Sequence, residues 1–182
     1  MTSPNICGQA YSLTVITPIV NGHETQLARY LDGLQSGDQS PLAGVLGTHF
    51  ARWVVMNDVI YESPDEGERE HLSHARLLFT SNFDGDLGPY LESLRTGLGD
   101  AADTIWGNCA GYPGSAEATA FADYMRHHQI DSSLFFAAYG DRTVEDVKRS
   151  LALRIKFVEF ALRAQGLTAP ELQAAFLQEF PA

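Results

Sequence analysis

The fold of this chain is decided by the stretch ARLLFTSNFDGDLGPYLESLRTGL, residues 75–98. Residues 76–83 are rich in the aliphatic and aromatic side chains of a half-buried strand, and Asp84-Gly85 is typical of the turn that ends one. Asp86 can then cap a helix whose apolar residues recur at helical spacing, namely Leu87, Tyr90, Leu91, Leu94 and Leu98. The stretch therefore predicts a strand followed by a helix that packs on a sheet.

A second unit of the same kind stands near the N-terminus, where a strand, a helix and another strand follow one another. The four strands and two helices predicted in this way lie at residues 11–19, 24–34, 48–57, 76–83, 87–98 and 134–139. Two strand–helix–strand halves joined in one sheet predict an α+β fold, the ferredoxin-like βαββαβ antiparallel sheet with both helices on one face.

Two further segments are added to this plan. A helical insertion at about residues 99–130, rich in aromatic side chains, precedes the predicted fourth strand, and a long C-terminal helix is predicted over residues 143–164. With 182 residues, 45% of them hydrophobic, the chain is long enough for one sizeable core. We therefore expect a single domain over residues 1–182.

The chain carries a formal net charge of −11, with only 12 lysines and arginines. This charge disfavours nucleic acids and anionic membranes as partners, because both would repel it. The N-terminus has no leader-like region, no apolar run approaches the ~18 residues of a membrane helix, and the two cysteines are too few for a disulfide framework. We expect a soluble, unexported protein of the cytoplasm.

Each predicted strand carries apolar residues on both faces, so the face of the sheet without helices must be shielded from water. A second subunit, the insertion and C-terminal helices, or a ligand could cover it. The pattern resembles the dimeric α+β barrel superfamily, in which two such sheets face each other around a cavity. The resemblance implies a homodimer, and the superfamily includes antibiotic-biosynthesis monooxygenases, polyketide cyclases and the haem-binding chlorite dismutases and dye-decolorising peroxidases.

Three segments carry a narrower resemblance: HFARWVV at residues 49–55, LLFTSNFDGDLGPYLESL at residues 77–94 and IWGNCAGYPG at residues 105–114. They are similar to a largely uncharacterised actinobacterial family of this architecture, over most of residues 11–160. The family implies the fold rather than a particular chemistry. The Gly-x-x-Asp-Gly haem motif of dye-decolorising peroxidases does not occur in the sequence, and minimal monooxygenases have no counterpart of the insertion.

The predicted catalytic residues are His49, Arg52 and Asn82. A pocket that takes up an acidic phenol, enol or carboxylate needs a base that titrates near neutrality and a fixed cation for the resulting anion, and histidine and arginine provide these. On a regular strand His49 and Arg52 point to opposite faces, so both reach one cavity only if His49 lies just beyond the strand's end. The alternatives are a histidine bonded to backbone, an arginine that forms a structural salt bridge or snorkels at the sheet edge, and an Asx turn made by Asn82 and Asp84.

Four residues are predicted to bind the substrate: Trp106, Asn108, Tyr112 and, on the first strand, Thr14. The three in the insertion would form a lid with an aromatic wall over the open face of the sheet, and core packing is the alternative for them. Cys109 has no base near it in sequence and is expected to be an inert buried thiol.

No metal site is predicted, because His71-x-x-His74 and His127-His128 are the only histidine clusters and neither has a second pair of ligands beside it. The primary expectation is that no cofactor is bound. Haem remains an alternative, since one axial histidine suffices and His49, His127 or His128 could supply it.

These residues predict a small-molecule enzyme of secondary metabolism, a cofactor-independent oxygenase or a cyclase/isomerase, that acts on an aromatic or polyketide-like substrate. A haem-binding protein of the same superfamily and a non-enzymatic dimerisation or interaction module are the alternatives. Nucleotide binding is disfavoured, because the sequence has neither a Gly-x-Gly-x-x-Gly segment nor a P-loop.

Overall fold

The computed structural model describes residues 4–58 and 71–181, and the chain divides into two compact units, Met1–Val144 and Glu145–Ala182. Within the described residues, the first unit contains a four-stranded antiparallel sheet and four α-helices, and the second is a pair of helices. The fold class is α+β, as predicted. The prediction of one domain over the whole chain stays a prediction.

The sheet consists of β1 (Ile6–Cys7), β2 (Ala10–Pro18), β3 (Thr48–Met56) and β4 (Arg76–Asp84), in the order β1-β2-β4-β3. Every neighbouring pair is antiparallel. Side chains alternate between the two faces along each strand, and every second residue of β2 and β4 is buried. One face of the sheet therefore lies in the core.

The helices of the first unit are α1 (Glu24–Asp32), α2 (Leu87–Leu98), α3 (Asp100–Trp106) and α4 (Ala118–His127). The apolar stripe of α2 is buried as predicted, and the ring of Tyr90 stacks on Phe83 of β4 with a centroid distance of 3.5 Å. Trp106 of α3 lies edge-on to Phe79 of β4 at 5.4 Å and to Phe121 of α4 at 6.1 Å. We call this side of the sheet the covered face.

The opposite side is the open face. By strand alternation it presents Ser12, Thr14 and Ile16 of β2, Phe50, Arg52 and Val54 of β3, and Leu78, Thr80 and Asn82 of β4. Phe50 is 76% exposed and Val54 is 40% exposed. Apolar residues thus reach water on this face of the single chain, whereas the apolar residues on both faces of the strands led us to expect that it is shielded.

Residues 134–139, predicted as the fourth strand, are not a strand in the structure. The edge of β2 that such a strand would join is already occupied, by β1 and by two isolated bridges that pair Val15 with Gln129 and Ile19 with Cys109. These short segments hydrogen-bond to the backbone N–H and C=O groups of β2 with which a full strand would otherwise pair. The predicted fourth strand is therefore wrong, whereas the helical insertion before it is confirmed.

The second unit contains most of α5 (Val144–Arg163), which is the predicted long C-terminal helix, and all of α6 (Ala169–Glu179). Phe160 of α5 is buried between Phe176 and Phe180, with ring centroids at 5.8 and 5.5 Å. None of the described helices has the length and apolar character needed to cross a membrane.

Candidate functional site

A β-bulge in β3 directs His49 towards the open face. The pairing of β3 with β4 shifts by one residue between Thr48 and Phe50, so His49 is the extra residue, and Phe50 lies opposite Asn82. A bulge places two residues of one strand against one residue of its partner and re-aims the inserted side chain. His49 and Arg52 can therefore lie on the same face although they are three residues apart.

Asp84, the last residue of β4, fixes the imidazole of His49. Its Oδ1 accepts a hydrogen bond from Nε2 of His49 at 2.7 Å, and its Oδ2 accepts the backbone N–H of Val144 at 2.7 Å. The His49 and Asp84 side chains are 20% and 17% exposed, so both are largely shielded from solvent. A carboxylate that accepts from one ring nitrogen sets the tautomer and turns the other nitrogen, Nδ1, into the proton acceptor.

A cavity of 340 Å³ lies between this end of the sheet and residues 135–139. Its lining consists of Ala10, His49, Phe50, Asn82, Phe135, Phe136, Ala137, Ala138 and Tyr139. Ligand pockets are typically about 300–1,000 Å³ in volume and mostly apolar with a few polar groups, and this cavity has that character. The segment that was expected to extend the sheet instead forms a wall of the cavity.

Two larger hollows, of 770 and 640 Å³, lie within the second unit. Both are lined by aromatic side chains that pack between α5 and α6, and neither lining contains a histidine. A further hollow of 570 Å³ is lined by His127 and His128, but of the histidines that line these cavities only His49 is hydrogen-bonded to a carboxylate, and we place the candidate site at its cavity.

Arg52, the third predicted catalytic residue, lies on the open face outside the lining of the cavity. Its Nε donates to Oγ1 of Thr80 at 3.1 Å, across the β3–β4 pair. No salt bridge to Arg52 is found among the residues that the structure describes. The structure therefore brings His49 and Asn82 together at one cavity and leaves Arg52 on the same face beside it.

Trp106 does not cover the open face. Its side chain is 0% exposed and packs against Phe79 and Trp53, with ring centroids at 5.4 and 6.2 Å. Since Phe79 belongs to the covered face, the prediction that Trp106 forms a lid over the open face is wrong. Core packing, the alternative considered for it, is what the structure shows, because the helices of the insertion add to the layer that covers the other side of the sheet.

Asn108 and Tyr112 also take part in local structure away from the cavity. Nδ2 of Asn108 donates to the carbonyl oxygen of Thr104 at 2.8 Å, and the hydroxyl of Tyr112 donates to Oδ1 of Asp103 at 2.8 Å. Burial raises the pKa of Tyr112, and the hydrogen bond to the Asp103 carboxylate raises this pKa further. Neither residue lines the cavity that contains His49.

Thr14 lies on the open face, paired in register with Thr80, and does not line the cavity. Cys109 is 4% exposed, and burial raises the pKa of its thiol to about 11, partly offset by a hydrogen bond from Oγ1 of Thr17 at 3.2 Å. The thiolate is the nucleophilic form, so a thiol with this pKa is unreactive near neutrality. This agrees with the expectation of an inert buried thiol.

The structure groups no set of three or more histidine, cysteine, aspartate or glutamate side chains that could hold a metal ion within residues 4–58 and 71–181. His71, from one predicted cluster, instead hydrogen-bonds through Nδ1 to the carboxylate of Asp58 at 2.5 Å. The side chains of His71 and Asp58 are both exposed to solvent.

The histidines considered as haem ligands lie in two places. Nε2 of His49 is bonded to Asp84 at the cavity of 340 Å³. Nδ1 of His128 donates to the carbonyl oxygen of Tyr124 at 3.0 Å, which leaves Nε2 free, but the hollow there offers few large apolar side chains to bury a macrocycle. It is lined by Ala110, Gly111, Pro113, Ala120, Asp123, Tyr124, His127 and His128.

The chain matches no family model, no curated protein and no solved structure. The resemblance to the dimeric α+β barrel superfamily therefore stays a prediction.

Proposed function

We propose that the chain is a small-molecule enzyme of secondary metabolism that removes a proton from an aromatic or polyketide-like phenol or enol. The observation that carries the proposal is the His49–Asp84 pair at the rim of an apolar cavity, with an Nε2 to Oδ1 distance of 2.7 Å. A histidine whose far nitrogen is bonded to a carboxylate is a well-oriented general base.

In the proposed reaction Nδ1 of His49 accepts the proton from the substrate, and the Asp84 carboxylate stabilises the imidazolium that forms. The side-chain amide of Asn82 donates to the phenolate or enolate oxygen, and Arg52 adds a positive charge on the same face. The aromatic side chains of the lining, which include Phe135 and Phe136, contact the rings of the substrate and exclude water.

Two outcomes of this proton transfer fit a site without a bound redox cofactor. In a cyclase or isomerase, His49 returns the proton to another carbon of the substrate. In an oxygenase of the anthrone type, O₂ is the co-substrate and oxidant: the carbanion reacts with it, the CH₂ group becomes C=O, and the second oxygen atom leaves as water.

We assign the first unit to the ferredoxin-like type because β2, α1, β3, β4 and α2 follow in the order βαββα, with antiparallel pairing throughout. The place of the last strand is then taken by the bridged segments beside β2.

The test is turnover of a panel of anthrones and polycyclic phenols, with oxygen uptake and substrate loss measured separately. His49→Gln removes the base at nearly constant volume, and turnover is expected to fall about 10²- to 10⁴-fold. His74→Gln is the matched control, since His74 is exposed and outside the cavity lining, and it is expected to leave turnover unchanged.

Asp84→Asn separates orientation from basicity. It keeps the shape of the side chain but removes its charge, so we expect a fall in kcat with little change in KM and a shift of the pH profile. Equal activity of the parent and His49→Gln on a substrate that the parent converts would contradict the assigned base. Absence of both turnover and binding across the panel would contradict the proposed substrate class.

A non-enzymatic interaction module is the second candidate, favoured by the exposure of the open face. Phe50 is 76% exposed, and beside it Phe136 and Tyr139 are 78% and 75% exposed. Apolar patches of this kind mark sites of contact with other molecules. Unchanged function of His49→Gln together with loss of a partner on Phe50→Ser would favour this candidate over the enzyme.

A further inference from the structure

Helix α5 has two apolar faces on opposite sides. One face packs on α6 through Phe160, as described above. The other we call the outer stripe, formed by Val147, Leu151, Ile155, Val158 and Leu162. These side chains are 41%, 53%, 62%, 50% and 65% exposed.

The outer stripe has the dimensions of a helix–helix contact. Its residues are spaced three or four apart from Val147 to Leu162, so they form one ridge along about 22 Å of the helix. Side chains at this spacing pack against a second helix of the same kind. A continuous exposed ridge of large aliphatic residues is typical of an interface rather than of a solvated surface.

Charged side chains along the outer stripe lack partners, in contrast with those on the rest of α5. Lys156 and Arg163 contact Glu179 of α6, and Arg149 contacts Asp146. The residues that flank the stripe are Lys148, Arg154 and Glu159, and none of the three has an ion pair with any residue that the structure describes. Of the other five charged residues of α5, only Glu145 has no ion pair with a described residue, so most of the unpaired charges of the helix border the exposed apolar ridge.

We propose that the outer stripe of α5 is the contact between two parallel copies of this chain. In a parallel pair each stripe residue meets its own counterpart, and flanking residues five positions apart face each other across the seam. Arg154 and Glu159 have this separation and lie on opposite flanks, so the pair gains two ion pairs. An antiparallel pair would place Arg154 near Arg154 of the other copy, which is unfavourable.

The charge of the chain as a whole also favours this surface. Two copies with a net charge of −11 each repel one another at most points of their surface. Helix α5 carries five basic and three acidic residues and is therefore locally positive. The two copies can approach along this helix with less repulsion than elsewhere. The proposal does not depend on the proposed activity.

The test uses the full chain in sedimentation velocity over a range of concentrations, with helix content checked by circular dichroism. Leu151→Glu and Ile155→Glu each introduce a carboxylate into the seam, and each is expected to weaken self-association at least about 100-fold. Ser150→Glu adds the same charge at the neighbouring residue outside the stripe, and it is expected to weaken the dimer by at most about tenfold, because a carboxylate at position 150 lies one turn from Arg154 and competes for it.

Charge reversal tests the parallel arrangement. Glu159→Lys is expected to weaken the dimer about tenfold, because two attractive pairs become repulsive, and the double variant Arg154→Glu/Glu159→Lys is expected to restore it. Restoration by Lys148→Glu/Glu159→Lys instead would overturn the parallel arrangement.

Two results would overturn the proposal as a whole. One is a monomeric parent at every concentration tested, which would leave the stripe without a second copy as its occupant. The other is a dimer that neither Leu151→Glu nor Ile155→Glu weakens, which would place the contact elsewhere. Neither readout involves turnover, so failure here is distinguishable from failure of the proposed enzyme.

Discussion

On the covered face of the sheet Leu77 and Phe79 are 0% exposed, whereas on the open face Phe50 is 76% and Val54 is 40% exposed. The same strands supply both sets of side chains, so the difference arises from what lies against them. Helices bury the first face, and the second face holds His49 and the cavity beside it. We infer that the covered face provides most of the stability and the open face most of the chemistry.

The largest expected effect is on the covered face. Phe79→Ala removes a ring that contacts both Trp53 and Trp106, and we expect the free energy of unfolding to fall by about 3–5 kcal/mol. Phe50→Ala deletes a phenylalanine ring from the open face instead, and it is expected to change the free energy of unfolding by less than about 0.5 kcal/mol. Urea unfolding of both variants gives the comparison, and equal losses would break it.

A second prediction uses the pH dependence of stability. The pKa of the buried Cys109 thiol is raised to about 11 in the folded state, so the folded chain holds this proton more tightly than the unfolded chain does. This contribution is complete below about pH 9 and is lost as the pH rises through about 11. We expect the stability difference between the parent and Cys109→Ala to shrink by up to ~2 kcal/mol over that range.

Denaturant unfolding of the parent and of Cys109→Ala at several pH values between about 8 and 11 measures this change. Taking the difference between parent and variant cancels the titration of groups that do not interact with the thiol, such as Tyr90, whereas the pKa of Tyr124 is raised by burial and also by the charge of Cys109 and so belongs to the measured difference. A constant difference across the range would show that the thiol does not titrate differently on folding.

The third prediction concerns hydrogen bonds on the covered face. The hydroxyl of Tyr90 lies 2.5 Å from that of Ser81 and 3.2 Å from that of Thr48. Tyr90→Phe leaves the buried Ser81 without this partner, so we expect a loss of about 1–2 kcal/mol in thermal or urea unfolding. In Tyr90→Phe/Ser81→Ala both partners are removed, and the double variant should lose less than the two single losses combined.

The smallest effect is expected for a hydrogen bond on the open face. Thr80→Val deletes the acceptor of the bond from Nε of the exposed Arg52 at 3.1 Å and keeps the volume of the side chain. Water can replace this contact, so the free energy of unfolding should change by less than about 0.5 kcal/mol. A loss as large as that of Tyr90→Phe would mean that the two faces do not differ in the way we infer.

Much of the fold could be predicted because the patterns are local. The apolar stripe from Leu87 to Leu98 and the alternation in β2 and β4 are read within ten or twelve residues, and both agree with the structure. The segment at residues 134–139 has the composition of a strand but is not one. Whether this segment forms a strand depends on whether the edge of β2 is available for pairing. Gln129 and Cys109, which are distant from β2 in sequence, already pair with that edge. The sequence of the segment itself does not contain this information.

The site could be predicted only in part, for a similar reason. His49 and Asn82 stand out as polar residues near strand ends, and they do line one cavity. The bulge that re-aims His49 follows from the register between two strands, which the sequence of β3 alone does not specify. Trp106 was misplaced because an aromatic residue on a helix has the same pattern whether the helix covers one side of a sheet or the other.

The carboxylate of Asp84 bonds to a side chain 35 residues before it and to an amide 60 residues after it. During synthesis the strand pair that contains His49 and Asp84 can form early, but the second of these bonds must wait until Val144 has left the ribosome. Contacts this far apart in sequence form slowly, because the loop between them must first close. A nascent chain should therefore complete its sheet before the imidazole of His49 is fully held, and the proposed activity should be among the last properties that it acquires.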